Sequence, residues 1–259
     1  MSRISPRLMT VWQRNWDVYR RTWQINFLPP LLEPILYVVA FGFGFRAMIG
    51  NVTYQGVAVS YVTFIAPALI AVGIMYNAFF ESTYSSYVRM YYQKTFDAML
   101  ATPLSLEDVI GGEIVWSATK SVIAAAVMLA VLSAFGLIRY PQGLLILPLA
   151  FLGGLAFGAI GMIFTGIVKN IEMFNLPVFL FVTPMFLFSG TFFPLDTLPA
   201  WAQQVALVFP LTHLVTLVRA LAFGLPWHGD LGWACAYLIV FAGICVPLAL
   251  RAMRRRLIH

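Results

Sequence analysis

ESTYSSYVRMYYQKTFDAMLATPLSLEDVIGGE, residues 81–113, is the longest polar and charged run in the chain, and strongly apolar stretches flank it on both sides. Within it, a short helical pattern over Phe96–Leu100 is closed by Pro103, and Ser105 follows as the expected N-cap residue of the next helix. We expect this run to face water between two membrane helices. A water-facing segment with one amphipathic turn is a place where a partner protein can push on a membrane domain.

The composition excludes a water-soluble globular protein. Of the 259 residues, 61% are hydrophobic and only 10% are charged, and the mean hydropathy is +0.86. Ordinary soluble domains carry about 25% charged residues. The formal charge of +6 does not indicate nucleic-acid binding, because the basic residues cluster at the ends of apolar stretches. The expected fold class is an all-α integral membrane protein with one membrane domain over residues 25–259.

Apolar stretches of membrane-spanning length recur along the chain. We predict six spans, at residues 26–45, 61–80, 114–138, 144–168, 176–193 and 231–250. In the fourth span, Ala150, Gly154 and Gly158 recur every four residues, a pattern that lets helices pack closely in lipid. Lys120 lies near the start of the third span, where its side chain is expected to reach the membrane surface.

The first predicted span contains Pro29, Pro30 and Pro34, so its helix is expected to begin near Pro34. Glu33 then falls in the first helical turn, where a carboxylate is favourable. The alternative is that Glu33 makes a polar contact at a substrate entrance or a dimer seam. Both interpretations stay open at this point.

Two further segments are predicted to be helical without spanning the membrane. Residues 1–24 place aromatic and basic residues at helical spacing, which is typical of an amphipathic interface helix in the headgroup plane; a flexible basic tail is the alternative. Between spans five and six, Trp201–Phe209 and Leu211–Phe223 are apolar but short, and Pro210 separates them. They indicate a pair of re-entrant helices on the outer side.

The distribution of Lys and Arg gives the orientation. Twelve of these residues lie before span one, between spans two and three, between spans four and five or after span six, all of which are on one side of the membrane. Three lie on the opposite side. Cytoplasmic loops carry the excess of positive charge. Both termini and residues 81–113 are therefore expected in the cytoplasm.

Sequence motifs for catalysis are absent. The chain contains no Gly-Lys pair, so it has no phosphate-binding loop for ATP hydrolysis. His213, His228 and His259 are scattered and do not form a metal-ligand pattern. We expect neither catalytic residues nor a bound metal or cofactor in this chain.

Several blocks of sequence resemble the type-2 ABC transporter permeases, and within them the nodulation-protein-J-like, lipo-oligosaccharide-exporting subfamily. The resemblance runs in order through most of the chain. The blocks are LLEPILYVVAFGFGF (31–45), YVTFIAPALIAVGIMYNAFFESTYSS (61–86), YSSYVRMYYQKTFDAMLATPLSLEDVIGGEIVW (84–116), TPMFLFSGTFFPLDTLPAW (183–201) and FPLTHLVTLVRAL (209–221).

The resemblance implies a half-transporter in the bacterial inner membrane that works as a homodimer with two copies of a separate ATPase chain, which holds ATP and Mg. Residues 81–113 would be the coupling region, and the N-terminal helix would be the gate or interface helix. The coupling residues would be Phe96, Asp97, Met99, Leu100 and Pro103. The gate-helix residues would be Arg14, Arg20 and Arg21.

A substrate path or dimer seam is expected among acidic and aromatic residues of the first two spans. The candidates are Glu33, Tyr37, Phe41, Tyr76, Phe79 and Glu81. The alternative for these aromatic residues is packing in the core or against lipid.

The expected function is export of a lipo-oligosaccharide, such as a lipochitin oligosaccharide of the nodulation-factor type, or of a similar amphiphile. An ABC permease for drug or antibiotic efflux is the alternative. A more remote one is an ion-coupled secondary transporter, which would typically show more spans and acidic residues at the bilayer midplane.

Overall fold

The computed structural model describes residues 5–41, 51–54, 57–227 and 229–257. Within these residues, five helices are long and apolar enough to cross a membrane, or six if one bent pair counts as a span. This confirms a predominantly helical membrane protein. The helices are α1 (Leu8–Arg21), α2 (Trp23–Val39), α3 (Tyr61–Tyr92), α4 (Thr95–Leu100), α5 (Leu106–Ala134), α6 (Ile146–Ile167), α7 (Ile171–Phe188), α8 (Ala200–Val208), α9 (Pro210–Phe223) and α10 (Gly229–Leu257).

A small β-hairpin, which the sequence did not predict, precedes α3. Strand β1 (Asn51–Tyr54) pairs antiparallel with β2 (Val57–Ser60). Ser60 then caps α3, because its side-chain oxygen accepts a hydrogen bond from the backbone N–H of Thr63 at 3.2 Å. The hairpin therefore lies at the N-terminal end of α3.

The prediction that the first membrane helix begins near Pro34 is wrong. Helix α2 begins at Trp23 and contains Pro29, Pro30 and Pro34. Proline keeps a helix-compatible φ, and membrane helices tolerate the missing N–H donors when neighbouring groups satisfy the freed carbonyls. Glu33 consequently lies in the second half of the helix rather than in its first turn. Residues 42–45, the far end of the predicted span, lie outside the described residues.

The second predicted span does not end at Phe80. Helix α3 continues to Tyr92 through two π-helical segments, Glu81–Ser85 and Val88–Tyr92. The expectation that residues 81–113 face water is therefore wrong for much of this run. Several of its polar groups are buried and have partners inside the protein: the Thr83 hydroxyl, for example, donates to the carbonyl of Phe79 at 2.7 Å.

Helix α5 confirms the predicted N-cap at Ser105. The Ser105 hydroxyl accepts from the backbone N–H of Asp108 and the Asp108 carboxylate accepts from that of Ser105, which forms a capping box. The helix begins at Leu106, as this cap predicts, and continues without a break into the third predicted span at residue 114. It ends at Ala134 rather than at residue 138.

The predicted small-residue contact of the fourth span is confirmed. A Cβ on Gly154 would lie 2.6 Å from the Cα of Ala118, and one on Gly158 would lie 2.1 Å from the Ser117 hydroxyl. Only glycine allows α6 to approach α5 this closely. Helix α6 also packs against α3 and α10, so it occupies the centre of the bundle.

The last two predicted spans are displaced in the structure. Helix α7 covers residues 171–188 instead of 176–193, and Gly190 follows it with a φ of +71°. Helix α10 extends to Leu257 instead of ending at residue 250. Its Arg256 donates to the carbonyls of Thr165 and Val168 at the end of α6, which holds the extra turns against the bundle.

The two short helices around Pro210 are observed as predicted. Helices α8 and α9 meet at an angle of 89°, and Pro210 occupies the first turn of α9. Gly224 ends α9 in the left-handed conformation, with a φ of +63°. Their re-entry into the membrane from the outer side stays a prediction.

Candidate functional site

Two buried carboxylates and two half-buried cations connect α3 and α5, and we call them the charge cluster: Glu81, Arg89, Glu113 and Lys120. Arg89 contacts Glu81 at 2.8 Å and Glu113 at 2.6 Å, and Lys120 contacts Glu81 at 2.8 Å. Glu81 is 4% exposed and Glu113 is fully buried. Two carboxylates and two cations thus balance one another in a site largely closed to water, where unpaired charges would be costly.

Neutral donors complete the cluster and bring α1 to it. Glu113 accepts from the Ser86 hydroxyl at 2.5 Å and from the Asn15 amide at 2.9 Å, while the Trp116 indole donates to Glu81 at 3.1 Å. Asn15 belongs to α1, so one carboxylate joins α1, α3 and α5. A shift of any of these helices must therefore break hydrogen bonds to a buried charge.

Sequence reasoning missed this site, although a signal was present. Glu113, Trp116 and Lys120 are spaced three and four residues apart, which places them on one face of a helix. The ammonium group of Lys120 pairs with Glu81, a contact that the sequence did not predict, and its expected reach to the membrane surface stays a prediction. Glu81, a predicted path residue, belongs to the same buried network.

A polar cavity of about 390 Å³ adjoins the charge cluster, between α1 and the second half of α3. Arg14, Tyr84, Arg89 and Lys120 are among its lining residues. Burial and the positive charge of Arg89 lower the pKa of Arg14, and the negative charge of Glu113 partly offsets this. The other two predicted gate-helix residues, Arg20 and Arg21, are exposed.

The aromatic face of α1 packs on protein. Trp12 stacks on Trp16 at 5.8 Å and donates its indole N–H to the Thr119 hydroxyl at 2.9 Å, and Tyr19 meets Trp116 edge-on at 5.6 Å. Helix α5 covers one side of these rings, which stay half-buried, and their predicted place in the headgroup plane stays a prediction. Gly112 allows the approach: a Cβ there would lie 2.6 Å from the Cβ of Val11.

Helix α4 is the predicted coupling helix, and it begins after a sharp reversal. Lys94 adopts the left-handed conformation, with a φ of +53°, which ends α3 and turns the chain. Phe96 is fully buried in the chain's own core, where its side chain fixes α4 to the bundle. Its role as an apolar anchor of ATPase coupling stays a prediction. Asp97 is exposed.

The remaining predicted coupling residues lie at the surface or near it. Met99 and Leu100 are half-buried against the core, and Pro103 is exposed. Arg7 of the N-terminal segment donates to the Pro103 carbonyl at 2.7 Å. A largely apolar groove of about 600 Å³ separates α1 from α4, and Met99 and Pro103 are part of its wall.

Four of the predicted path residues lie near one another between α2 and α3. Tyr37 stacks on Phe41 at 5.7 Å, and Tyr76 lies near both Tyr37 and Glu33. Phe79 is fully buried against Phe164, which is the core-packing alternative. The structure thus brings Glu33, Tyr37, Phe41 and Tyr76 to one region and separates Phe79 and Glu81 from it.

In the part of the chain that the structure describes, no group of His, Cys, Asp and Glu side chains is arranged to hold a metal ion. His213 contacts the carbonyl of Leu207 at 2.9 Å and stacks on Tyr237 at 4.0 Å, so it is a packed helix residue. His228 and His259 lie outside the described residues.

Comparison with known proteins identifies relatives over nearly the whole chain. The family model "ABC-2 type transporter" matches residues 6–223. Nodulation protein J of Rhizobium leguminosarum bv. trifolii is 34% identical over 254 residues, covering 97% of this chain and 94% of the relative. Nodulation protein J of Sinorhizobium fredii is 32% identical over 96% of this chain and 94% of its own length. The inner membrane transport permease YadH of Escherichia coli is 22% identical over 94% of each chain.

Proposed function

The chain belongs to the ABC-2 type transporter family as a transmembrane permease subunit, and on that premise we propose that it is half of an ATP-driven exporter for a lipo-oligosaccharide or a similar amphiphile. The carrying observation is the likeness to nodulation protein J over nearly full length. In this proposal ATP and Mg are bound by a separate ATPase chain, and the exporter contains two copies of each chain.

The proposed ATPase contact is the surface formed by α1 and α4. It offers an exposed carboxylate, Asp97, beside an apolar groove. Apolar surface with a charged rim is the usual composition of a protein interface. Phe96 fixes the position of this surface, because its buried ring holds α4 against the bundle.

Movement at this surface would reach the transmembrane helices through the charge cluster. Arg7, just before α1, contacts Pro103 in the turn after α4, and α1 contacts α5 through Asn15 and Glu113. Both connections are hydrogen bonds with charged partners, which are shorter and stronger than neutral ones. A push on α4 would therefore displace α1, α3 and α5 together.

The proposed dimer seam involves α2. Ile25, Leu28, Leu32 and Leu36 recur every three or four residues and are all exposed, with Ile25 at 77%. They form one apolar stripe along the helix. Glu33 and Tyr37 lie beside this stripe, so a second copy packed there would enclose them in a path between two permeases.

The proposed substrate has a polar head and an apolar tail. Arg14, Arg89 and Lys120 line the cavity beside the charge cluster, which offers donors to a sugar or other polar head. The exposed stripe of α2 offers apolar surface to an acyl chain. Drug or antibiotic efflux is the second candidate, because a polar cavity together with an apolar stripe also accepts other amphiphiles.

The positive-inside pattern supports insertion in the bacterial inner membrane with both termini in the cytoplasm.

The test is reconstitution with the ATPase that copurifies from the native host. We expect ATP-dependent uptake of a lipochitin oligosaccharide into inverted vesicles, and an Asp97→Arg variant that loses ATPase binding by at least tenfold because an interfacial charge is reversed. Asp230→Arg, which changes an exposed carboxylate in the first turn of α10, is the matched control.

Three results separate the alternatives. Uptake that follows an ion gradient without ATP would contradict the exporter assignment. Uptake of cationic drugs in preference to the glycolipid would support the efflux alternative. Equal ATPase binding by the Asp97 and Asp230 variants would remove α4 from the proposed contact surface.

A further inference from the structure

A second polar cavity lies at the opposite end of the bundle from α4. It encloses about 300 Å³, and we call it the cap cavity. Its walls come from β1, from the loop after α7 and from α9, and the polar side chains on them are Thr53, Tyr54, Ser189, Asp196, Thr216 and Arg219. Arg219 contacts Phe64 near the start of α3, so the cap cavity is about 40 Å along that helix from α4.

Arg219 is held in place by neutral groups. Its Nε donates to the Phe64 carbonyl at 3.1 Å and its Nη2 donates to the Gly190 carbonyl at 3.0 Å, while the guanidinium lies 3.9 Å from the Phe64 ring centre. The side chain is only 3% exposed, and the ion pairs of the described residues do not include it. A fixed positive charge, not cancelled by direct contact with a carboxylate, therefore forms part of the cavity wall.

Ser189 is a second buried polar residue in the wall of the cap cavity, beside Arg219. Its side chain is 1% exposed, and its hydroxyl has no hydrogen-bond partner. An unsatisfied buried hydroxyl costs about 1–3 kcal/mol, so buried polar groups in native proteins normally have a partner. Ser189 belongs to the cavity wall, so a rotation of its side chain would let a polar ligand inside supply that partner.

The charges on the walls select the chemistry of the ligand. Arg219 disfavours a cation, and the exposed carboxylate of Asp196 disfavours an anion. A neutral polyhydroxyl compound is repelled by neither residue. Each of its hydroxyl groups donates one hydrogen bond and accepts others, so it can bind both Asp196 and Arg219. The volume equals that of about ten liquid waters at roughly 30 Å³ each, which accommodates one sugar ring.

We propose that the cap cavity is a carbohydrate subsite that binds one neutral sugar ring of the exported amphiphile on the side where it leaves the transporter. Asp196 accepts hydrogen bonds from ring hydroxyls, Arg219 donates to them, and Ser189 contributes the third polar contact. This subsite rests on the proposed export function, but it requires only the permease chain.

Binding is tested on the full chain in detergent by saturation-transfer NMR, with cellobiose as the neutral probe and inorganic phosphate and choline as charged probes. We expect cellobiose to bind and the charged probes not to bind. Asp196→Ala and Ser189→Ala should each weaken cellobiose binding at least fivefold. Asp230→Ala, an exposed carboxylate away from the cavity, should leave binding unchanged.

Each other outcome overturns the subsite. Absence of cellobiose binding, tighter binding of phosphate, or equal effects of the Asp196 and Asp230 variants would all contradict it. The export function is tested separately by ATP-dependent uptake in vesicles. Uptake without sugar binding would refute the subsite alone, whereas sugar binding by the purified chain without ATP-driven uptake would refute the exporter and leave the cavity as a sugar site.

Discussion

Neutralising Glu113 is the most direct test of the charge cluster. Its carboxylate is fully buried and accepts hydrogen bonds from Asn15, Ser86 and twice from Arg89. In a Glu113→Gln variant, Arg89 and Lys120 share the single remaining carboxylate, Glu81. Removing one partner of a buried ion pair costs about 3–5 kcal/mol, because the other charge stays buried without compensation.

We expect the free energy of unfolding to decrease by this amount. The measurement is unfolding of the purified chain by titration with dodecyl sulfate, monitored by circular dichroism. The double variant Glu113→Gln, Arg89→Gln should recover part of the loss, since it removes the uncompensated cation as well. Glu172→Gln, which changes an exposed carboxylate at the start of α7, is the control. Equal stability of the Glu113 and Glu172 variants, or a double variant less stable than the Glu113 variant, would refute the reasoning.

Three further substitutions examine other contacts. Phe96→Ala should lower the free energy of unfolding by about 3–5 kcal/mol and expose α4 to proteolysis, because the ring is fully buried; protection equal to wild type would contradict that packing. Gly112→Leu should displace α1, since a Cβ there already overlaps Val11, and a disulfide engineered between α1 and α5 should then form more slowly than in the parent. Glu33→Gln should stabilise the chain by about 1–3 kcal/mol, because it removes a half-buried charge from a membrane helix, while vesicle transport decreases; unchanged transport would exclude Glu33 from the path.

Local signals in the sequence predicted the local features of the fold. Ser105 predicted the α5 cap, Pro210 predicted the break between α8 and α9, and the glycines of α6 predicted its close packing on α5. Each of these depends on residues within a few positions of one another, so composition and spacing are sufficient. The prolines of α2 are the exception. The free-energy cost of a proline inside a helix depends on whether neighbouring groups satisfy the freed carbonyls, which the sequence does not reveal.

The charge cluster was not predictable in the same way. The pairs Arg89–Glu113 and Lys120–Glu81 join residues 24 and 39 positions apart in the chain, so only the packing of α3 against α5 brings them together. Charged residues between apolar stretches were interpreted as a water-facing loop, which is the more frequent situation. Phe96 shows the same limit, since a short amphipathic helix does not indicate whether its apolar side faces its own bundle or a partner.

The burial of the cluster also bears on how a small movement at α4 can act at a distance. A buried ion pair adds little net stability, because the desolvation cost offsets the attraction, but a displaced pair is strongly penalised. The cluster therefore favours arrangements in which α1, α3 and α5 keep the same relative positions, and it resists intermediate ones. Helix α3 runs without interruption from this cluster to the Phe64 carbonyl that binds Arg219. A shift imposed at α4 would consequently be carried along a rigid helix to the walls of the cap cavity, rather than being absorbed where it is applied.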